Sequence, residues 1–124
     1  MDPIIKKRLQ ADSNGLLTYE YIANHIGTID EIMPELIENI ITVDHNGQFV
    51  VSTARYLNAI DAVKYSGCID TLIKAAIVKD REHVYLPTLA ASIWGNDFRD
   101  RAEELSARDE NFRRIYKRLY PNSL

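Results

Sequence analysis

Thiol chemistry is almost absent from this chain of 124 residues, whose only cysteine is Cys68. No intrachain disulfide can close, and no cysteine pair exists for a zinc site of the usual kind. Cys68 sits beside Ile69 in an apolar stripe and reads as a small core hydrophobe. Long apolar runs are missing too. None approaches the roughly 18 to 20 residues of a membrane span, and the start, M-D-P-I-I-K-K-R, has no apolar leader segment, so no membrane association and a cytoplasmic location are expected. There is no low-complexity segment, long linker or recognisable internal repeat. Phosphate-binding loops, dinucleotide fingerprints, paired-histidine metal motifs and glycine-flanked nucleophile turns are all lacking, which removes the enzyme classes that depend on them. A non-enzymatic protein without cofactor or metal is the expectation.

What is present suits one folded domain over residues 1–124. The chain is 46% hydrophobic and 27% charged, ordinary for a globular protein with its own core. The net charge of −3 conceals an asymmetry. From Leu16 to Leu57, six acidic side chains face Arg55 alone, a balance of −5; from Arg99 to the end, seven basic side chains face five acidic ones, a balance of +2.

The stretch Ile41 to Val51, I-T-V-D-H-N-G-Q-F-V-V, is the one place where the hydrophobic period looks strand-like. Asp44, His45, Asn46 and Gly47 form a strong turn signal between β-branched and aromatic residues, predicting a β-hairpin. With a three-residue loop at His45 to Gly47, Val43 pairs with Phe49 and Ile41 with Val51, placing all four on one face.

Helices are predicted elsewhere. Asp2 caps the first with Pro3 at its first position, and Gly15 marks its stop. Thr18 is the expected cap of a second helix, Tyr19 to Ile26, ended by Gly27. Thr28 and Glu31 suggest a capping box before a third, in which Pro34 requires a late start or a kink. Ser52 or Thr53 is the expected cap after the hairpin. Cys68 to Lys79 carries the clearest amphipathic pattern, Asp80 to Tyr85 reads as a connector, and Pro87 and Gly95 bracket a further helix. Asp97 is a candidate cap for the next, and Asp109 or Ser106 for the last, which Pro121 ends. The fold class expected is mainly α with one β-hairpin, with subdomains at 1–60 and 61–124.

Within the first half, L-T-Y-E-Y-I-A-N-H-I-G, I-D-E-I-M-P-E-L-I-E-N-I-I and T-V-D-H-N-G-Q-F-V-V resemble in layout the winged helix-turn-helix superfamily, over Leu16 to about Ser52. The resemblance implies a winged-helix-like N-terminal half packed on a helical C-terminal half. DNA-binding members place the third helix in the major groove, which needs outward-facing cations or amides. Here Asp30, Glu31, Glu35, Glu38 and Asn39 would face out, and carboxylates are repelled by phosphates. The resemblance therefore implies a protein-facing module, with Glu31, Glu35, Glu38 and Asn39 as the partner-binding residues.

The last helix offers another surface. Phe112, Ile115, Tyr116 and Leu119 form its apolar side, and Arg113, Arg114, Lys117 and Arg118 a basic side suited to a polyanion. Near a helix C-terminus the same cations also favour the helix dipole as a plain solvated face. Asp80, Glu82 and His83 lack regular metal-ligand spacing and read as a solvated connector. The function expected is an interaction or regulatory module that binds a protein partner or a second copy of itself through the acidic half. The alternative is a nucleic-acid-binding regulator that uses the basic C-terminal helix.

Overall fold

Asp44 ends one helix and starts the next, and that local fact decides the architecture. Its Oδ1 accepts hydrogen bonds from the amides of Asn46 (3.1 Å) and Gly47 (2.9 Å), and its Oδ2 from those of Phe49 (2.9 Å) and Val50 (2.8 Å). The amides at a helix start have no partner inside the helix, so a carboxylate that takes several of them makes a helix start favourable. Gly47 supplies the left-handed turn (φ 89°) between the incoming helix and the outgoing one.

The expected β-hairpin is therefore not formed. The computed structural model describes residues 1–122, and among them there is no strand. The helices are α1 (Pro3–Gln10), α2 (Leu16–His25), α3 (Met33–Val43), α4 (Gln48–Asp61), α5 (Ser66–Lys79), α6 (Leu86–Trp94), α7 (Ala102–Arg108) and α8 (Glu110–Leu119), with a short 3-10 turn, Asp30–Ile32, leading into α3. The β-branched residues before the turn belong to the last turn of α3, and Val50 and Val51 lie on the buried face of α4. A short apolar run looks alike in a strand and in a buried helix segment. Without strands there is no wing, so the expected fold class, mainly α with one β-hairpin and a winged-helix-like half, is corrected to an all-helical one among the described residues.

The arrangement at Asp44 occurs three times. Asp12 accepts from the amides of Asn14 (3.2 Å), Gly15 (3.0 Å) and Thr18 (2.8 Å), and Asp80 from those of Val84 (3.0 Å), Tyr85 (2.7 Å) and Leu86 (2.8 Å). In each case the amide six residues on is held, and the residue three on has positive φ: Gly15, Gly47 and, without a glycine, His83. Asp109 differs: it is itself the N-cap of α8, its Oδ1 accepting from the Phe112 amide (3.1 Å) and its Oδ2 from the Trp94 indole (3.1 Å). The three turn aspartates stand at 12, 44 and 80, intervals of 32 and 36 residues, and the capping Asp109 follows 29 residues further on. The reading of the sequence as free of repeats is thus corrected.

Burial follows the same register. Thr18, Val50, Leu86 and Ile115, each six residues after its aspartate, are fully buried. Ile40, Ala76 and Leu105, each four residues before one, are buried as well. An inner row of helices forms in which α2 packs on α4, α4 on α6 and α6 on α8; an outer row has α1 on α3 and α3 on α5. The rows are tied by α2 against α3 and α4 against α5, while the short α7 leans on α8. A unit of two helices cannot bury its apolar stripes alone, so stacking such units creates the shared core. One hydrophobic cluster runs from Leu9 to Tyr116.

Several helix boundaries match the sequence and several do not. Asp2 caps α1 through the amides of Ile4 and Ile5, Pro34 sits in the first turn of a late-starting α3, and Pro87 and Asp109 stand where expected. Thr18 is not a cap: it is buried inside α2 and its hydroxyl donates to Asp12 (2.7 Å). Ser52 and Thr53 lie inside α4 and donate to the carbonyls of Gln48 and Phe49. The Thr28 hydroxyl turns back to the His25 carbonyl (2.8 Å), so no capping box forms, and α7 starts after Arg101 rather than Asp97.

Candidate interaction surfaces

The inner helices stand in a related register, α2 and α4 beginning four residues after their aspartates and α6 six after. Four residues after each aspartate come Leu16, Gln48 and Val84; eight after come Glu20, Ser52 and Thr88. Apart from the half-buried Ser52, these six side chains are exposed, while the residues six and ten after each aspartate, Thr18 with Ile22, Val50 with Ala54 and Leu86 with Ala90, are fully buried. Neighbours in the row also touch directly. Tyr56 packs edge-on to Tyr19 (6.4 Å between ring centres), Arg55 Nε donates to Ser92 Oγ (2.8 Å), and Asn58 donates to the Ser92 carbonyl (3.2 Å). Sequence reasoning missed these rows because it missed the recurrence of the turn; the matching strings D-S-N-G and D-H-N-G, 32 residues apart, carried the signal.

The acidic residues singled out from the sequence lie elsewhere, on the 3-10 turn and α3 of the outer row. Glu31 and Glu38 are exposed. Glu35 is half-buried and pairs with Lys6 (3.2 Å) and with the N-terminal ammonium (3.9 Å). Asn39 is half-buried, donating to the Leu9 carbonyl (2.9 Å) and to Thr18 Oγ1 (3.0 Å), which ties α3 to α1 and α2. Asp30 pairs with Lys64 (2.8 Å) and accepts from the Tyr65 hydroxyl (3.2 Å); the Lys64 contact is the main reason its carboxyl titrates below the usual range.

The basic residues of α8 are less free than the sequence suggests. Arg113 makes a two-point contact with Glu110 (2.9 and 2.7 Å), which lowers the Glu110 pKa and raises that of Arg113. Arg114, Lys117 and Arg118 form no ion pair among the described residues. The other cations of this end are engaged: Arg101 and Arg108 meet Glu104 (3.5 and 3.4 Å), and Arg99 lies over the Tyr120 ring (4.3 Å).

Both oxygens of Asp80 are taken by backbone amides, so it is a turn residue rather than a metal ligand beside Glu82 and His83. Among the described residues no group of three histidine, cysteine or acidic side chains converges on a metal position. Cys68 is half-buried, and that burial pushes its thiol pKa up, away from the reactive thiolate. At Asp12 burial works to raise the pKa, but the hydroxyl and amide of Thr18 and the amides of Gly15 and Asn14 together outweigh it and hold the carboxyl low.

Comparison with known proteins finds no family model, no curated relative and no solved structure that matches the chain.

Proposed function

We propose that this chain is a non-enzymatic protein-interaction module that engages a partner across its inner row of helices. The observation that carries the reading is the recurrence of Leu16, Gln48 and Val84 at or just before the starts of α2, α4 and α6, and of Glu20, Ser52 and Thr88 within those helices, beside fully buried positions of the same register. The unit of two helices and a tight turn, recurring at 32 and 36 residues, is similar to the unit of ankyrin-type arrays, about 33 residues long. Stacked units of this kind make extended binding surfaces, because each adds one strip to a face the others continue.

The test uses Gln48→Arg and Val84→Arg, both at exposed sites, against the unaltered chain in a cross-linking capture with identification of the recovered proteins. A partner held by the unaltered chain and lost from both variants, with helical content unchanged, is the expected result. Recovery that ignores these substitutions would remove the inner row from the reading.

A polyanion-binding role for α8 keeps a narrower footing in Arg114, Lys117 and Arg118, since Arg113 is occupied by Glu110. Binding of duplex DNA or single-stranded RNA through phosphates should fall steeply with salt. Absence of binding at low salt would dismiss it.

A further inference from the structure

Among the described residues no inner helix covers one side of α1, and the side chains left open there define a site. α1 occupies the outer row, as α3 and α5 do, but α1 has no inner helix before it as α3 has α2 and α5 has α4. Ile4 stands eight residues before its aspartate, the place of Leu36 and Leu72. Those two are 0% exposed, whereas Ile4 is 74% exposed. Leu17, five residues after Asp12, takes the place of Phe49, which packs against Tyr19 of the preceding inner helix (6.3 Å); Leu17 is exposed. Tyr21, nine after, takes the place of the buried Thr53 and Leu89 but is only half-buried. Between α1 and α2 lies a groove of about 330 Å³ whose lining includes Ile5, Arg8, Leu17 and Tyr21, together with Glu20 and His25 of α2.

Each feature of the groove says what would fill it. One unit further on, the corresponding groove between α3 and α4 is filled by α2, with Tyr19 against Phe49 and Tyr56, and with the Ala23 carbonyl accepting from the Tyr56 hydroxyl (3.4 Å). Arg8 differs from its equivalents, because Ile40 and Ala76 at that place are apolar and fully buried. The start of α2 comes against Ile40: a side chain at Gly15 would lie 3.4 Å from it. By the same register, Arg8 faces the first turn of whatever helix fills the groove. A carboxylate is favoured there twice, by the helix dipole and by the guanidinium.

We propose that the open end formed by α1 and α2 docks one amphipathic helix of a partner protein, acidic in its first turn, in the inner-row place in front of α2. The partner offers an aromatic or aliphatic residue and a small residue four positions later to Leu17 and Tyr21, apolar cover to Ile4, and a carboxylate to Arg8. This surface shares Glu20 with the inner rows, while Gln48 and Val84 lie outside it.

The probes are two helix-stapled, fluorescently labelled peptides, one with the sequence of residues 13–28 of this chain and one the same with Leu16→Glu. Titrated with the full chain, both should show saturable anisotropy changes in a roughly micromolar range, the acidic peptide binding several-fold tighter. Ile4→Glu and Leu17→Glu in the chain, both at exposed positions, should each weaken binding about tenfold or more, and Arg8→Ala should abolish the preference for the acidic peptide. Val78→Glu, exposed on α5, should change nothing. No saturable binding of either peptide up to about 1 mM, or binding indifferent to Ile4→Glu, overturns the proposal. So does sedimentation showing self-association of the unaltered chain that Ile4→Glu abolishes, since the occupant is then a second copy. The Gln48→Arg and Val84→Arg variants should bind the peptides normally, which keeps this result separate from the inner-row reading.

Discussion

Asp44 and Asp80 stand 36 residues apart and do the same work, each offering an Oδ2 to the amides five and six residues on, at 2.9 and 2.8 Å for Asp44 and at 2.7 and 2.8 Å for Asp80. Both are almost fully buried, and Lys79 joins the two turns by donating to the Asp44 carbonyl (2.7 Å). Buried carboxylates are costly unless amply hydrogen-bonded, and here backbone amides supply the bonds.

Removal of one of these carboxylates leaves several helix-start amides unsatisfied inside the protein. Asp44→Ala and Asp80→Ala should each cost about 2–4 kcal/mol in urea unfolding, beyond the ordinary loss of a cap. Asp12, less buried, should cost about 1–2 kcal/mol on the same scale. A loss at Asp44 no larger than at Asp12 would show that the amides find other partners.

Glycine at 47 answers two demands. Its φ is 89°, and a side-chain carbon there would lie 3.3 Å from the Asp80 Cβ. Gly27 has a similar φ, 94°, but open space around it. Gly27→Ala should therefore cost about 1 kcal/mol and Gly47→Ala distinctly more, about 2–3 kcal/mol. At the third turn His83 takes the left-handed conformation (φ 58°), and His83→Gly should raise stability by about 0.5 kcal/mol, the relief of strain exceeding the added chain freedom. Equal midpoints for Gly27→Ala and Gly47→Ala would count against the close stacking of turns.

Ser106 carries a buried hydroxyl oxygen without a hydrogen-bond partner, at the place three residues before the aspartate where Leu9, Ile41 and Ile77 stand in the other units. Ser106→Ala removes the unmet polar group and adds helix propensity, so a gain of about 0.5–1.5 kcal/mol is expected in thermal or urea unfolding. A loss would indicate that water or a neighbour satisfies the hydroxyl in solution.

The depressed pKa of Asp12 has a pH signature. Because its folded value lies below the ordinary 3.8, its contribution to stability is complete above the unfolded value and is lost as pH falls through the folded one. Thr18→Val removes one of its bonds and should shift the Asp12 titration, followed by NMR, upward. Unfolding midpoints measured between about pH 5 and pH 2 should then fall at higher pH than in the unaltered chain. An Asp12 titration unmoved by Thr18→Val would assign the depression to the backbone amides alone.

Much of the helical content was legible, since Pro3, Pro34, Pro87 and Asp109 mark helix starts by local chemistry that needs no tertiary information. The hairpin failed at Asp44 because D-H-N-G serves a turn between helices as readily as one between strands, and the choice rests on what the carboxylate can reach. The turn at Asp80 was hidden further, since His83 replaces the glycine that would have matched Gly15 and Gly47. Glu35 and Arg113 look like surface charges in the sequence and are paired, while Asn39, expected as a surface contact, is half-buried and bonded to the Leu9 carbonyl. Pairings of that kind depend on which helices become neighbours. Spacing within one helix does not contain them.

An array in which each unit leans only on its neighbours can come apart from one end while the middle stays closed. α1 is held on α3 by packing, by the Lys6–Glu35 pair and by the hydrogen bond from the Asn39 side chain to the Leu9 carbonyl, whereas α4 is flanked on both sides within its row. Amide exchange should thus run as a gradient along the stack, quick in α1 and slowest in α4, and a helix seated against α1 would slow that outermost layer first.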